Sequence, residues 1–153
     1  MNFFKVIVLF FCGLAVLSKS AHADPKFQRG IYGGGYYIES TSKINWFQAS
    51  HECARKGRKL VEVQNNSKHL DVTNALRSYI GSRGIFWIGA NDEYKSSSKN
   101  RPFYWSSSGD RVIYTHWMWD EPNNHKGKQH CITIDSLEWN DKDCTENYGF
   151  ICE

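Results

Sequence analysis

Two polar tripeptides in the C-terminal third of the chain, Glu121-Pro122-Asn123 and Trp139-Asn140-Asp141, decide which fold and which chemistry the sequence predicts. Each places a carboxylate close to a carboxamide in a predicted loop, and this mixture of oxygen donors suits a hard cation such as calcium. A carboxamide that binds a cation through its oxygen can still donate from its NH2 group, and a carboxylate can accept from a hydroxyl group. Such a site could bind the vicinal hydroxyls of a sugar.

The alternative interpretation is that both tripeptides are ordinary polar turns. A given tripeptide occurs by chance in about two of every hundred chains of this size, so either one alone is a weak indication. The two occur together and lie beside Cys131 and Cys144. This combination favours one shared site.

Residues 1–23 are predicted to be a secretory signal peptide. Lys5 supplies the positive start, an apolar run covers residues 6–17, and Ala21-His22-Ala23 is a small-residue cleavage site. The alternative, an uncleaved membrane anchor, is disfavoured by this cleavage pattern and by the shortness of the run. We expect the mature chain to start near Asp24 and to be secreted into the extracellular space.

The cysteine count fits this compartment. Of five cysteines, Cys12 lies in the predicted signal peptide, which leaves Cys53, Cys131, Cys144 and Cys152. An even number in a secreted chain predicts two disulfides, and the count alone permits three pairings. Zinc binding is the alternative, but the chain has no C-x-x-C pair.

One N-glycosylation sequon with an allowed middle residue, Asn65-Asn66-Ser67, is present. In a secreted protein it makes Asn65 a candidate glycan attachment site.

The composition is that of a globular domain rich in aromatics. Of 153 residues, 41% are hydrophobic, 23% charged and 15% aromatic, which excludes collagen, a long coiled coil and a low-complexity disordered chain. Without Lys5 and Lys19 of the signal peptide, 17 basic and 16 acidic residues leave a net charge of +1. A near-neutral domain has no whole-molecule reason to bind nucleic acid or an anionic membrane.

Two helices are predicted in the first half of the chain. Asn45 and Gln48 have the spacing of a capping box, and Gly57 is a plausible end for this helix. Its apolar positions recur at helical spacing: Trp46, Ala49 and Cys53. The second helix is predicted from near Ser67 to Gly81, with one face formed by Leu70, Thr73, Leu76 and Ile80.

Strands and loops make up the rest. We expect a short flexible lead over residues 24–35, which contain Pro25 and a run of three glycines, and a polar loop over 91–101. Short β-type runs cover residues 36–38, 60–63, 86–89, 103–105, 112–114 and 131–134. Helices followed by strands with long loops indicate the α+β class.

With these motifs in place, the chain resembles the C-type lectin domain family, and within it a short secreted single-domain form common in insects. The resemblance covers residues 36–153. It implies two helices, antiparallel sheets and a long loop region that binds calcium and sugar. The matching positions, in order, are Tyr37-Ile38, Asn45-Trp46, Ala49, Cys53, Gly57, Leu60, Trp87-Ile88-Gly89, Trp105, Trp117, Glu121-Pro122-Asn123, Cys131, Trp139-Asn140-Asp141, Cys144 and Phe150-Ile151-Cys152.

The resemblance implies the covalent framework. It pairs Cys53 with Cys152 and Cys131 with Cys144. The first disulfide would close a loop of about 100 residues, worth about 4–5 kcal/mol in the chain-entropy model. The resemblance also implies a cis bond before Pro122, which turns both neighbouring side chains toward one metal.

The resemblance further implies one principal calcium site. Four ligand positions hold the expected residues, Glu121, Asn123, Asn140 and Asp141, and the fifth holds Gln129 where the family usually has a glutamate. The site then carries two formal negative charges instead of three. Because calcium affinity follows ligand charge, we expect weak binding, in the ~10⁻⁴–10⁻³ M range of extracellular modules.

A second, auxiliary calcium site is not expected. Asp92 matches one of its ligands, but Ser96, Asn124 and His130 stand where acidic residues are usual. Lys126 and Lys128 lie near Gln129 and add positive charge.

An E-P-N triplet in this family goes with sugars whose 3- and 4-hydroxyls are both equatorial: mannose, fucose and N-acetylglucosamine. The implied sugar-binding residues are the five calcium ligands, so Gln129 also removes a carboxylate that would accept from a sugar hydroxyl.

Two functions are consistent with the sequence. The first is a secreted, calcium-dependent carbohydrate-binding protein that recognises microbial or cell-surface glycans, with a role in innate immune recognition or agglutination. The second is a protein-interaction module on the same fold with weak or lost calcium and sugar binding, which Gln129 favours. We expect no enzymatic activity, no nucleic-acid partner and no membrane span, and an oligomer is compatible with the sequence.

One basic cluster needs an explanation, Arg55-Lys56-Gly57-Arg58-Lys59. Cations at the end of a helix interact favourably with its dipole, so a solvated helix terminus is the simpler interpretation. A patch for anionic glycans or lipopolysaccharide is the alternative.

Overall fold

The computed structural model describes residues 26–30, 34–93 and 98–153. The predicted signal peptide, its cleavage site and the predicted mature start at Asp24 lie outside these residues.

Helix α1, Trp46–Arg55, begins and ends as predicted. The Asn45 side chain accepts from the backbone N–H of Gln48, whose side chain in turn accepts from the N–H of Asn45, and this reciprocal pair is a capping box. The chain leaves the helix through Lys56 and Gly57, and Gly57 has a φ of +66°. The predicted apolar face is buried: Trp46, Ala49 and Cys53.

Helix α2, Asn66–Ile80, starts one residue before the predicted position. Asn65 caps it by accepting from the N–H of Lys68 at 2.8 Å, and Gly81 ends it. Leu70 was predicted on the buried face, but it is 40% exposed. Thr73 and Leu76 of the predicted face are buried, together with four other side chains, those of His69, Asp71, Val72 and Ala75. In the part of the chain that the structure describes, neither helix combines the length and the apolar character that a bilayer span requires.

Seven strands form one sheet. They are β1 Phe27–Arg29, β2 Gly35–Ile44, β3 Ile85–Asn91, β4 Tyr104–Trp105, β5 Cys131–Asp135, β6 Glu138–Lys142 and β7 Tyr148–Cys152. The order is β1-β2-β7-β3-β5-β6, with β4 paired to β3. All pairs are antiparallel except β3 with β7, so the sheet is mixed rather than purely antiparallel.

Three predicted segments differ from the structure. The lead predicted to be flexible contains β1, which pairs with β2 in register Phe27↔Tyr37. Residues 60–63 form no strand, because only Leu60 makes a bridge, with Cys152. Residues 112–114 are also not a strand: Val112 donates to the carbonyl of Phe103, and Ile113 is 89% exposed.

The core contains the tryptophans of the two aromatic motifs, Asn45-Trp46 and Trp87-Ile88-Gly89. The indole N–H of Trp46 donates to the carbonyl of Ile88, and that of Trp87 to the carbonyl of Ile44, both at 2.9 Å, so two buried tryptophans connect α1, β2 and β3. Gly89 follows in the same motif because a Cβ there would lie 2.8 Å from the carbonyl oxygen of Leu60.

Both disulfides predicted from the resemblance are confirmed. Cys53 pairs with Cys152 and Cys131 with Cys144, with Cα–Cα distances of 5.5 and 5.2 Å. The first connects α1 to β7, and the second connects the start of β5 to the segment after β6. The latter pair therefore braces the strands that carry the candidate site.

Candidate functional site

Trp139-Asn140-Asp141 lies in strand β6, not in a loop as predicted from the sequence. All three residues are buried, and β6 pairs with β5 through a two-residue turn in which Ser136 and Leu137 have φ of 50° and 79°. Such turns usually carry Asn-Gly or Asp-Gly, and this chain has neither. The sequence therefore lacked both the hairpin signal and the apolar alternation of a strand.

The segment that leads into Glu121 is fixed to β6 by the backbone. The N–H of Met118 donates to the carbonyl of Trp139 at 2.9 Å, and the N–H of Trp139 donates to the carbonyl of His116 at 2.8 Å. The Trp139 ring is buried among edge-on aromatic neighbours, Trp105, Tyr114 and Trp117. These contacts give the E-P-N loop a rigid base, and the predicted cis bond between Glu121 and Pro122 is confirmed.

The structure brings Glu121, Asn123 and Asp141 together. The Glu121 carboxylate accepts from the backbone N–H and the side-chain NH2 of Asn123, at 3.0 and 2.9 Å. Asp141 also accepts from the Asn123 N–H, at 3.2 Å, and from the Asn124 N–H at 2.9 Å. The two predicted motifs thus share one hydrogen-bond network.

Two carbonyl oxygens in this network have no partner. Among the described residues, Asn123 Oδ1 and Asn140 Oδ1 are buried and accept no hydrogen bond. Buried oxygens without a donor are costly and infrequent in folded proteins, and a missing ion is one explanation for them. Both belong to residues predicted as calcium ligands.

The charges and oxygen donors of this network also fit a bound cation. Burial and the nearby Asp141 carboxylate together raise the pKa of Glu121 to about 7. Two carboxylates and two unpartnered amide oxygens are a donor set that fits calcium. In the residues that the structure covers, no group of three or more His, Cys, Asp or Glu side chains is placed to hold a metal, so any metal would depend on the amides.

Gln129 lies in the same loop, with its side chain directed at the backbone. Its amide oxygen accepts from the N–H of His125 at 2.6 Å, and its own N–H donates to Asn124 Oδ1 at 3.0 Å. The oxygen that was predicted to bind calcium therefore already has a donor within the loop.

Arg101 is a buried residue that the sequence did not indicate, because it sits in a serine-rich stretch predicted to be a surface loop. Its guanidinium bonds to Asp92 and lies 2.7 Å from the Asp141 carboxylate, and all three side chains are fully buried. His130 Nδ1 is 2.8 Å from Asp92. His130, which stands where the auxiliary calcium site usually has an acidic residue, faces Asp92, whereas Lys126 and Lys128 are exposed.

The cations of the basic cluster after α1 have partners within the chain. Arg55 pairs with Glu52, and Lys59 lies 3.1 Å from Glu62. Lys56 stacks over Tyr37, and Arg58 over Phe27. This arrangement agrees with the simpler interpretation of a helix terminus.

Two exposed side chains, Trp119 and Asn65, lie outside the candidate site. Trp119 is 94% exposed, whereas Trp46, Trp87, Trp105 and Trp139 are buried. The exposed Asn65 uses its oxygen to cap α2, which leaves its nitrogen for the predicted glycan.

Comparisons with known proteins agree with this fold. The family profile described as "Lectin C-type domain" matches residues 42–153. Lectin subunit alpha of Sarcophaga peregrina is 37% identical over 143 residues, covering 90% of this chain, which spans half the length of that relative. The C-type lectin mannose-binding isoform of Oxyuranus scutellatus is 32% identical over 115 residues, covering 71% of this chain and 70% of that protein.

A solved structure shows the same architecture. The mouse scavenger receptor C-type lectin carbohydrate-recognition domain aligns over 85% of this chain and 95% of that chain, with a TM-score of 0.67 and 25% identity. The matched relatives are named as lectins, a non-enzymatic class, which agrees with the expectation of no enzymatic activity. On the profile match and these identities, the chain belongs to the C-type lectin domain family.

Proposed function

We propose that this protein binds carbohydrate in a calcium-dependent manner at Glu121, Asn123, Asn140 and Asp141. The observation that carries the proposal is the pair of buried, unpartnered oxygens of Asn123 and Asn140 beside two carboxylates. Calcium would accept these oxygens as ligands and would bind two vicinal sugar hydroxyls.

The residues themselves would set the hydrogen-bond pattern toward the sugar. With their oxygens directed at a cation, Asn123 and Asn140 would donate from their NH2 groups, and Glu121 would accept. In the present arrangement the Asn123 NH2 donates to Glu121 at 2.9 Å. A sugar hydroxyl between these two groups could accept from one and donate to the other.

Mannose, fucose and N-acetylglucosamine are the proposed ligand class. The E-P-N triplet supports this choice, and the snake relative is named as a mannose-binding isoform. We further propose that the protein is secreted, that it recognises glycans on microbial or cell surfaces, and that avidity comes from association of several domains, because single lectin sites bind weakly.

Gln129 supports the second candidate, a protein-interaction module with weak or lost sugar binding. It adds no charge to the site, and its amide oxygen accepts from the N–H of His125. Only two carboxylates would then face the cation, and one of them, that of Asp141, is also paired with Arg101.

A mannose–agarose column separates the two candidates. The protein should bind in millimolar calcium, elute with chelator and fail to bind galactose–agarose. Asp141→Asn should abolish retention, and Asp143→Asn, which makes the same change two residues away, should leave it intact. Retention that survives chelator, or no retention at millimolar calcium, would contradict the proposal.

A further inference from the structure

The structure contains a buried cation of its own beside the candidate calcium site. Arg101 and Asp92 have fully buried side chains, and Asp141 is fully buried as well. Buried charges are stabilised only when they are paired and hydrogen-bonded, so a guanidinium between two carboxylates indicates a specific role for the arrangement.

Every nitrogen of the Arg101 guanidinium has a partner. Nε donates to Asp92, Nη1 donates to the carbonyl of Ser98 at 3.2 Å, and Nη2 donates to both Asp141 Oδ2 and the carbonyl of Gln129. The guanidinium carbon also lies 4.6 Å from the centre of the Phe103 ring. The Arg101 side chain thus contacts the residue after β3, the residue before β4, the loop before β5, and strand β6.

The Asp141 carboxylate is shared between Arg101 and the E-P-N loop. Its Oδ2 accepts from Arg101 and from the Asn124 N–H, and its Oδ1 accepts from the Asn123 N–H. The Arg101 guanidinium therefore shares the Asp141 carboxylate with two consecutive loop amides.

We propose that Arg101 is a positioning residue that holds Asp141, and through it the E-P-N loop, in the ligand-binding arrangement before any calcium is present. This inference rests on the proposed calcium site but concerns a residue outside its ligand set. Groups that orient the ligands of a metal site typically change metal affinity about 10–100-fold when they are replaced.

A positive charge near a calcium site also has an opposing effect, since it repels the metal. Arg101→Lys separates the two effects, because it keeps the charge and removes the planar fork that bonds Asp92 and Asp141 together. Arg111→Lys is the matched control, since Arg111 is exposed and lies outside the site.

The first measurement uses calcium titration by calorimetry. Arg101→Lys should weaken calcium binding about 10–100-fold, and Arg111→Lys should stay within twofold of the natural protein. Unchanged or tighter calcium binding by Arg101→Lys would overturn the inference. If the natural protein itself bound no calcium, the proposed function would fail, and the second measurement alone would decide the role of Arg101.

The second measurement needs no metal. Amide hydrogen exchange, followed by NMR in chelator, should show the Asn123 and Asn124 amides of the natural protein protected at least about tenfold relative to an unstructured chain. Arg101→Lys should speed their exchange at least tenfold while core amides such as Ile132 and Ile151 are unchanged. Unprotected Asn123 and Asn124 amides in the natural protein in chelator would refute the inference, even if the variant failed to fold.

Discussion

Gln129→Glu tests how charge controls the candidate site. The natural site has two carboxylates, Glu121 and Asp141, and the Gln129 oxygen accepts from the His125 N–H at 2.6 Å. A glutamate in the same position could keep that bond with one oxygen and direct the second oxygen at the metal. It would restore the third negative charge that the family pattern has.

The expected gain is about tenfold in calcium affinity. A neutral hydrogen bond contributes about 1 kcal/mol, and interactions with charged groups are roughly twice as strong. The charged oxygen should therefore add more than about 1 kcal/mol and, because the two existing carboxylates repel it, less than about 2 kcal/mol; about 1.4 kcal/mol, within this range, corresponds to a factor of ten. Because the pKa of Glu121 is raised to about 7, the comparison should be made near pH 8, where that carboxyl is ionised.

The assay is calorimetric titration with calcium, with and without mannose. Gln48→Glu is the control, since it makes the same substitution in the capping box of α1, where glutamate is well tolerated. Calcium affinity unchanged within twofold would show that residue 129 does not face the metal. Tighter calcium binding without stronger mannose binding would contradict the proposed sugar site and favour the protein-interaction module.

Three further predictions concern specificity, stability and processing. Glu121→Gln with Asn123→Asp exchanges the acceptor and donor around the metal, so glycan-array ranking should shift from mannose toward galactose; unchanged ranking with binding retained would place the sugar elsewhere. Burial alone would raise the pKa of Glu39, but hydrogen bonds from Lys26, Thr41 and Ser42 hold it at about 2. This depressed pKa contributes stability that is present above the unfolded value near 4.5 and is lost as pH falls toward 2. In denaturant titrations, Glu39→Gln should therefore lower the free energy of unfolding by about 2–3 kcal/mol at pH 7. Near pH 2 the same substitution should change it by almost nothing. Mass spectrometry of the secreted product should give a chain that starts near Asp24 with no thiol open to alkylation; a mass that includes residues 1–23, or any cysteine labelled without reduction, would contradict this.

Local sequence determined the helices. The capping box at Asn45 and Gln48 involves residues three positions apart, so it can be identified without knowing the rest of the fold. Gly57 ends α1 and Gly81 ends α2 for an equally local reason, since both have positive φ. The exposed position of Leu70 was not local, because it depends on which side of α2 the sheet packs against.

Strand β6 shows what local sequence could not indicate. Trp139-Asn140-Asp141 contains two polar residues in succession, and its turn uses Ser136 and Leu137 at positive φ without a glycine. The backbone of β5 and the segment around Met118 supply the hydrogen bonds that make it a strand. These partners are distant in sequence, so only the folded chain decides the assignment.

Some features of the candidate site could be predicted from the sequence, and others depend on the tertiary structure. Its types of oxygen donor could be predicted from the sequence, because the two motifs contain the carboxylates and carboxamides that suit a cation such as calcium. Tertiary structure decided that Asn123 and Asn140 keep unpartnered oxygens, that Gln129 bonds to His125, and that Arg101 is buried against Asp141. The physical reason is that residue type fixes which hydrogen bonds and charges a side chain can have, whereas the fold fixes which of them it uses. Asp141, for example, is buried against partners 17–40 residues away along the chain.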